Sequence, residues 1–369
     1  KALFKPFPKK ELEALILKFR EPIEQTGEGI TNERLCKFDL ASSYQLAQIL
    51  ISDVLADIPE GHSLMIVPDD CLGSLPFEIL SLSEKGVIVS PDGKPQVSGA
   101  NFFGDRNPLS YYQSITALTL ARTIRSDARF GDKFFALVDP IFGEDDERIQ
   151  KIEKGKRKRL LDSLPRQIMN SIKTESGITF LRLPLTGQLG KFVKKSNPDV
   201  TDLYEGLAAN KNALFQRDLL TYRSMLFATH GHLGSDLPGI QEPVLVLTLV
   251  DQPPGQDGFL RLTEIMGLKL NCDIAALTAC KSGAGKHISG EGVMGIGRAF
   301  QYAGAKSVLM SLWNVAEKSS VMLIESFFKH LNAGKNKLEA LKLARSEIRQ
   351  QGYDHPFYWA PFILVGETE

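Results

Sequence analysis

Four runs in the second half of the chain constrain the fold more than any other feature: SMLFAT at 224–229, PVLVLTLV at 243–250, CDIAALTAC at 272–280 and AKSVLMSLWNV at 305–315. Each is apolar nearly throughout instead of alternating. A strand that is apolar on both faces has to be covered on both, which is the condition of a parallel sheet under helices. Helical spacing fills the intervals. GVMGIGRAFQYAG reads as a helix closed by Gly304, and SSVMLIESFFKHLNAG and KLEALKLARSEIRQQG as helices closed by Gly334 and Gly352. The first half repeats the theme. HSLMIVPDD, KFFALVDPIF and GITFLRLP read as strands, SSYQLAQILISDVLADI, SYYQSITALTLARTIRSD and PRQIMNSIKTES as helices, and YWAPFILVGE closes the chain as a strand. The expected class is α/β, a mostly parallel sheet flanked by helices.

Composition narrows the function. Lys+Arg and Asp+Glu each number 44 in 369 residues, so nothing marks the basic face that nucleic acid requires. A 43% apolar, 24% charged chain is that of a soluble globular protein, and no run approaches the ~20 apolar residues that span a bilayer. The start, KALFKPFPKK, has neither an initiator Met nor a signal-peptide core, so a piece cut from a longer protein is expected. Cys36, Cys71, Cys272 and Cys280 are scattered, without zinc-knuckle or CxxC spacing, which points to thiols in a reducing, cytoplasmic setting. His230 and His232 are two apart and lack further ligands for a metal.

The glycine-dense stretch LTACKSGAGKHISGEGVMGIGRAF, 277–300, poses the functional question. As a Walker A loop it fails twice: with Gly285-Lys286 as the GK pair, Cys280 takes the place of the first glycine and His287 that of the Ser or Thr on Mg²⁺. Gly290, Gly292 and Gly295 satisfy GxGxxG, but they lie well past the strand end, and Asn314 stands where the next strand should end in an acid. Gly295 and Gly297 are better read as glycines that let a helix lie close on the sheet.

A nucleophile fits better. Cys280 follows one strand and His230 follows another, so two parallel strands would bring thiol and imidazole together at their carboxyl ends. The thiolate is the reactive form and needs a base beside it. The backbone N–H of Gly231, after His230, and that of Cys280 are natural donors to an oxyanion. The two residues stand 50 apart, and caspases carry a histidine about 50 residues before their Q-A-C-[RQG]-G signature.

Several ordered blocks extend this likeness. MIVPDDCLGSLPFEIL, YYQSITAL, FALVDPIF, LFATHGHLG, the long LTACKSGAGKHISGEGVMGIGRAFQYAGAKSVLMSLWNVAEKSS and the ending GYDHPFYWAPFILVGE together resemble the CHAT domain, a caspase-like family related to separases. The resemblance implies a caspase-like fold, with a degenerate half at 1–170 and an active half at 171–369, the charged run KIEKGKRKR at 151–159 lying between them as a linker or a site of self-cleavage. It carries His230 over as general base and Cys280 as nucleophile, a dyad without a clear third member. Thr278 stands two residues before the nucleophile, where caspases have Gln and metacaspases an acid, so it would line the pocket for the P1 residue without a charge. Separase-like members place an acid after the LW strand, where Glu317 stands; it either pairs with a basic P1 residue or serves as a helix N-terminal acid beside Ser319. His232 reads as a polar loop residue, and Lys286 and His287 as part of the loop that shapes a substrate groove.

The expected function is therefore a cysteine endopeptidase acting through an acyl-enzyme, without cofactor or metal. Its expected partners are a protein substrate and a regulatory protein or TPR/sensor region, in bacterial defence or signalling, with no nucleic acid and no membrane span. The same fold used as a catalytically silent interaction module is the alternative. A nucleotide-dependent enzyme built on GxGxxG is the third reading.

Overall fold

The computed structural model describes residues 5–24, 31–89, 95–123, 129–151, 178–234, 237–252, 256–278, 281–282, 290–314 and 316–368. Along the chain the described strands are β1 (Leu64–Ile66), β2 (Val87–Val89), β3 (Gln96–Ser98), β4 (Leu109–Tyr111), β5 (Lys133–Pro140), β6 (Thr201–Gly206) and β7 (Tyr222–Ala228). There follow β8 (His230–His232), β9 (Val244–Val246), β10 (Phe259–Arg261), β11 (Cys272–Leu277), β12 (Lys281–Ser282), β13 (Ala305–Ser311) and β14 (Phe362–Gly366). The chain divides into two compact units, one of Lys1–Thr123, Ala284–Glu291 and Leu312–Glu369, the other of Ile124–Gly283 and Gly292–Ser311. The class is α/β, a large mostly parallel sheet flanked by helices, as three of the four apolar runs imply; the fourth, PVLVLTLV, instead supplies β9, which is antiparallel to both its neighbours in a smaller sheet.

In the first unit β4 lies between β1 and β14 and runs parallel to both, with Ile66 and Val365 each opposite Tyr111. Ser110 and Tyr111 were expected inside a helix; instead they belong to β4, and the helix begins at Ile115. The reason is a buried polar network. The Tyr111 hydroxyl donates to Glu78 at 2.5 Å and accepts from the Phe77 N–H at 3.0 Å, and Glu78 also takes Arg345 at 3.0 Å. Glu78 is wholly buried, and a carboxylate in that position needs both partners. Helices Glu317–Asn332 and Lys337–Gln350 stop at Gly334 and Gly352, whose φ of +84° and +91° suit glycine, as the sequence predicts.

In the second unit five parallel strands run in the order β13-β11-β7-β5-β6. β5, β7 and β11 are buried almost end to end. Helix Gly290–Ala303 covers one part of this sheet: Phe300 meets Phe227 at 5.0 Å, and a Cβ on Gly297 would fall 2.7 Å from Met310 Sδ. Close helix-on-sheet packing is thus the job of that glycine. Helix Pro184–Ser196 covers the β5–β6 end. A second sheet, β10-β9-β8-β12, rises from the carboxyl ends of β7 and β11, with β9 antiparallel to its neighbours and β12 parallel to β8. GITFLRLP is not a strand: its described residues, 178–183, belong to no ladder and enter the helix at Pro184. No helix among the described residues is long and apolar enough to cross a membrane.

Candidate active site

β7 ends at Ala228, buried Thr229 follows, and His230 opens β8. The small sheet therefore presents His230 at the carboxyl edge of the large one, where the reactive groups of parallel α/β folds gather. Its imidazole lies against Phe142 and Phe180, with ring centroids 5.0 and 5.6 Å away. These two phenylalanines belong to an apolar cluster with Leu237, Ile240, Val244 and Phe259, and Ile178 packs against it.

The Nε2 atom of His230 stands 2.7 Å from the Leu181 carbonyl oxygen. A carbonyl only accepts, so Nε2 carries the proton and donates. In the neutral ring Nδ1 is then the nitrogen with the lone pair. Burial lowers the pKa of His230 from its ordinary value, and the hydrogen bond to Leu181 opposes that shift. The resting imidazole is neutral at pH 7 and can take a proton at Nδ1. Leu181 itself turns its side chain outward, 70% exposed, while Phe180 before it is buried. It is thus the carbonyl, not the side chain, that meets the histidine.

The ladders define the neighbourhood of the other expected site residues. Leu277 on β11 is in register with Phe227 on β7, and Lys281 on β12 with Gly231 on β8. Each pair is fifty residues apart, the separation of Cys280 from His230. Cys280 lies outside the described residues, as do Lys286, His287 and most of the charged run at 151–159. Thr278 is buried, and its N–H extends the ladder by donating to Phe227 at 3.1 Å. Gly231 sits within β8 between Leu245 and Lys281. His232 is a buried strand residue rather than a loop residue. Its Nδ1 accepts the Gly234 N–H at 3.0 Å, because the chain turns back over it. Glu317 belongs to the first unit, as the first residue of a helix whose N-cap, Ala316, offers no side-chain cap.

Sequence reasoning missed the Leu181 carbonyl, the hydrogen-bond partner of His230. A backbone oxygen carries no residue-type signal. Among the described residues no group of three or more His, Cys, Asp or Glu gathers as a metal site.

Residues 40–367 match the CHAT domain, and the chain belongs to that family. It is 32% identical over 120 residues to tetratricopeptide repeat protein 28 of Homo sapiens, a match covering 32% of this chain and only 5% of that protein. Among solved structures it is similar to the Saccharomyces cerevisiae separase–securin complex, at 13% identity and a TM-score of 0.41, over 70% of this chain and 14% of that one. It is also similar to the Arg-specific cysteine proteinase gingipain R, at 11% identity and a TM-score of 0.41, over 98% of this chain and 74% of that one.

Proposed function

We propose that the chain is a caspase-like cysteine endopeptidase in which Cys280 is the nucleophile and His230 the general base. The observation that carries this reading is the shared register. The ladders on both sides of 279–280 pair residues fifty apart, which is also the separation in sequence of Cys280 from His230, and His230 Nδ1 has a lone pair available. In the proposed reaction Nδ1 accepts the thiol proton and sulfur attacks the scissile carbonyl carbon. The backbone N–H groups of Gly231 and Cys280 receive the oxyanion. The imidazolium then protonates the leaving amine as the acyl-enzyme forms, and water completes hydrolysis with His230 again as base.

The finer parts of the reading stand as proposals of the same kind. Glu317 sets a preference for Arg or Lys at P1; Thr278 is a substrate-binding residue; residues 1–170 are the degenerate half and 171–369 the active half. Activation by a TPR or sensor region draws support from the human relative's being a tetratricopeptide repeat protein. The test is a peptidyl acyloxymethyl ketone with Arg at P1. The expected result is one adduct on Cys280 in the wild-type chain, and none after His230→Ala despite an unchanged melting temperature. Equal labelling of all four cysteines, indifferent to His230, overturns the assignment.

A further inference from the structure

The base is only as well aimed as the carbonyl that holds it. Leu181 is bracketed on both sides. Before it, Phe180 is buried in the apolar cluster under His230. After it, Arg182 makes a two-pronged bond to the Asp139 carboxylate, Nε to Oδ1 at 3.1 Å and Nη2 to Oδ2 at 2.9 Å. The remaining Arg182 nitrogen reaches Glu147 at 2.7 Å.

Asp139 is an unusual anchor. It is 1% exposed and is the last residue but one of β5, with φ of +42°, a left-handed conformation rare for a residue with a side chain, at the point where the β5–β6 register slips. Its N–H is held by Thr186 Oγ1 at 2.9 Å, and Thr186 in turn donates to the Leu183 carbonyl at 2.7 Å. Arg148 supplies a second guanidinium, at 3.0 Å from Asp139 Oδ2 and 2.9 Å from its backbone carbonyl, and is itself clamped by Asp146. Asp139 thus binds the residues on either side of the segment's entry into the helix, and nothing in the ladders does that work in its place.

We propose that Arg182 and Asp139 are positioning residues: their ion pair fixes the Leu181 carbonyl against His230 Nε2 and so selects the tautomer with its lone pair on Nδ1. The consequence for catalysis rests on the reading of His230 as the base; the tautomer does not. A fork-shaped guanidinium is required because two parallel bonds fix orientation, which one ammonium cannot do.

The experiment is ¹⁵N NMR of the full chain labelled at histidine, at pH 8, with His230 assigned by its loss in His230→Gln. Wild type is expected to show the Nε2–H form alone. Arg182→Gln should give His230 shifts averaged between tautomers while the other histidines keep theirs, and Arg182→Lys should fall between. Where a peptide substrate is cut, kcat falls about tenfold to a hundredfold with KM little changed, the cost of a displaced catalytic group. A His230 tautomer unchanged in both Arg182 variants overturns the proposal. Should Arg182→Gln not fold, Arg182→Lys and Asp139→Asn decide it by the same spectrum. An averaged tautomer with undiminished cleavage leaves the positioning in place and overturns instead the role of His230 as base.

Discussion

Acidification should destabilise the first unit through one residue, His355. Its ring is wholly buried, edge-on to Phe38 at 5.3 Å. Nδ1 accepts the Phe357 N–H at 3.1 Å, capping the helix Pro356–Trp359, and Nε2 donates to the Leu35 carbonyl at 3.1 Å. A second proton on the ring would remove the cap acceptor and place a charge in the core. Burial accordingly pushes the pKa down to about 4 from 6.5, against the opposing pull of the Leu35 carbonyl and Asp354. The unfolded chain keeps a value near 6.5, so it binds the proton first, and stability falls as pH drops below 6.5 and levels off below about 4. Between pH 7.5 and 4.5 that loss is about 2.5 kcal/mol. His355→Asn retains a cap acceptor and does not titrate. It should cost about 1–3 kcal/mol at pH 7.5, for the lost Leu35 bond and the smaller side chain. Its decline between the two pH values should nevertheless be smaller than that of wild type by about 2.5 kcal/mol. The assay is urea unfolding followed by tryptophan fluorescence, since the two tryptophans, Trp313 and Trp359, both belong to this unit and bond to Phe357 and Asp354 beside the histidine. Carboxylates that titrate in the same window are common to both proteins and cancel. Equal declines would refute the reasoning.

Three further outcomes follow from the same geometry. In Cys280→Ala, the His230 imidazole should titrate below 6.5 by NMR, because burial outweighs the Leu181 bond; a midpoint above 6.5 would contradict the described environment. Glu78→Gln should destabilise the chain by about 3–5 kcal/mol in urea unfolding, because it leaves Arg345 buried beside an uncharged partner; a cost under about 1 kcal/mol would show that the cluster relaxes. Glu317→Gln should lower kcat/KM for peptides with Arg at P1 at least tenfold more than for peptides with an uncharged P1; equal losses would return Glu317 to a helix N-terminal acid.

The strands that build the second unit were legible because burial on both faces leaves an apolar run, as in KFFALV, SMLFA and CDIAAL. The edge strand β6, TDLYEG, was not, since its central residues are only half buried and need not be apolar. Ser110 and Tyr111 carry helical spacing, yet their place in β4 is decided by Glu78, far away in sequence. GITFLRLP has the composition of a strand, but its polar groups are spent on His230 and Asp139 rather than on a neighbouring strand. His230 was legible from its strand end and its fifty-residue distance from Cys280, a distance that recurs as the register of two parallel ladders. Its orienting partner is a main-chain oxygen, which spacing and residue type cannot reveal.

The most direct test of the account is mass-spectrometric mapping of new protein N-termini in a lysate treated with this chain, alone and in its full-length context, beside the Cys280→Ala variant. The account predicts cuts that vanish in the variant and that follow Arg or Lys. Identical N-termini with both proteins in every context would contradict it and leave the fold as an interaction module.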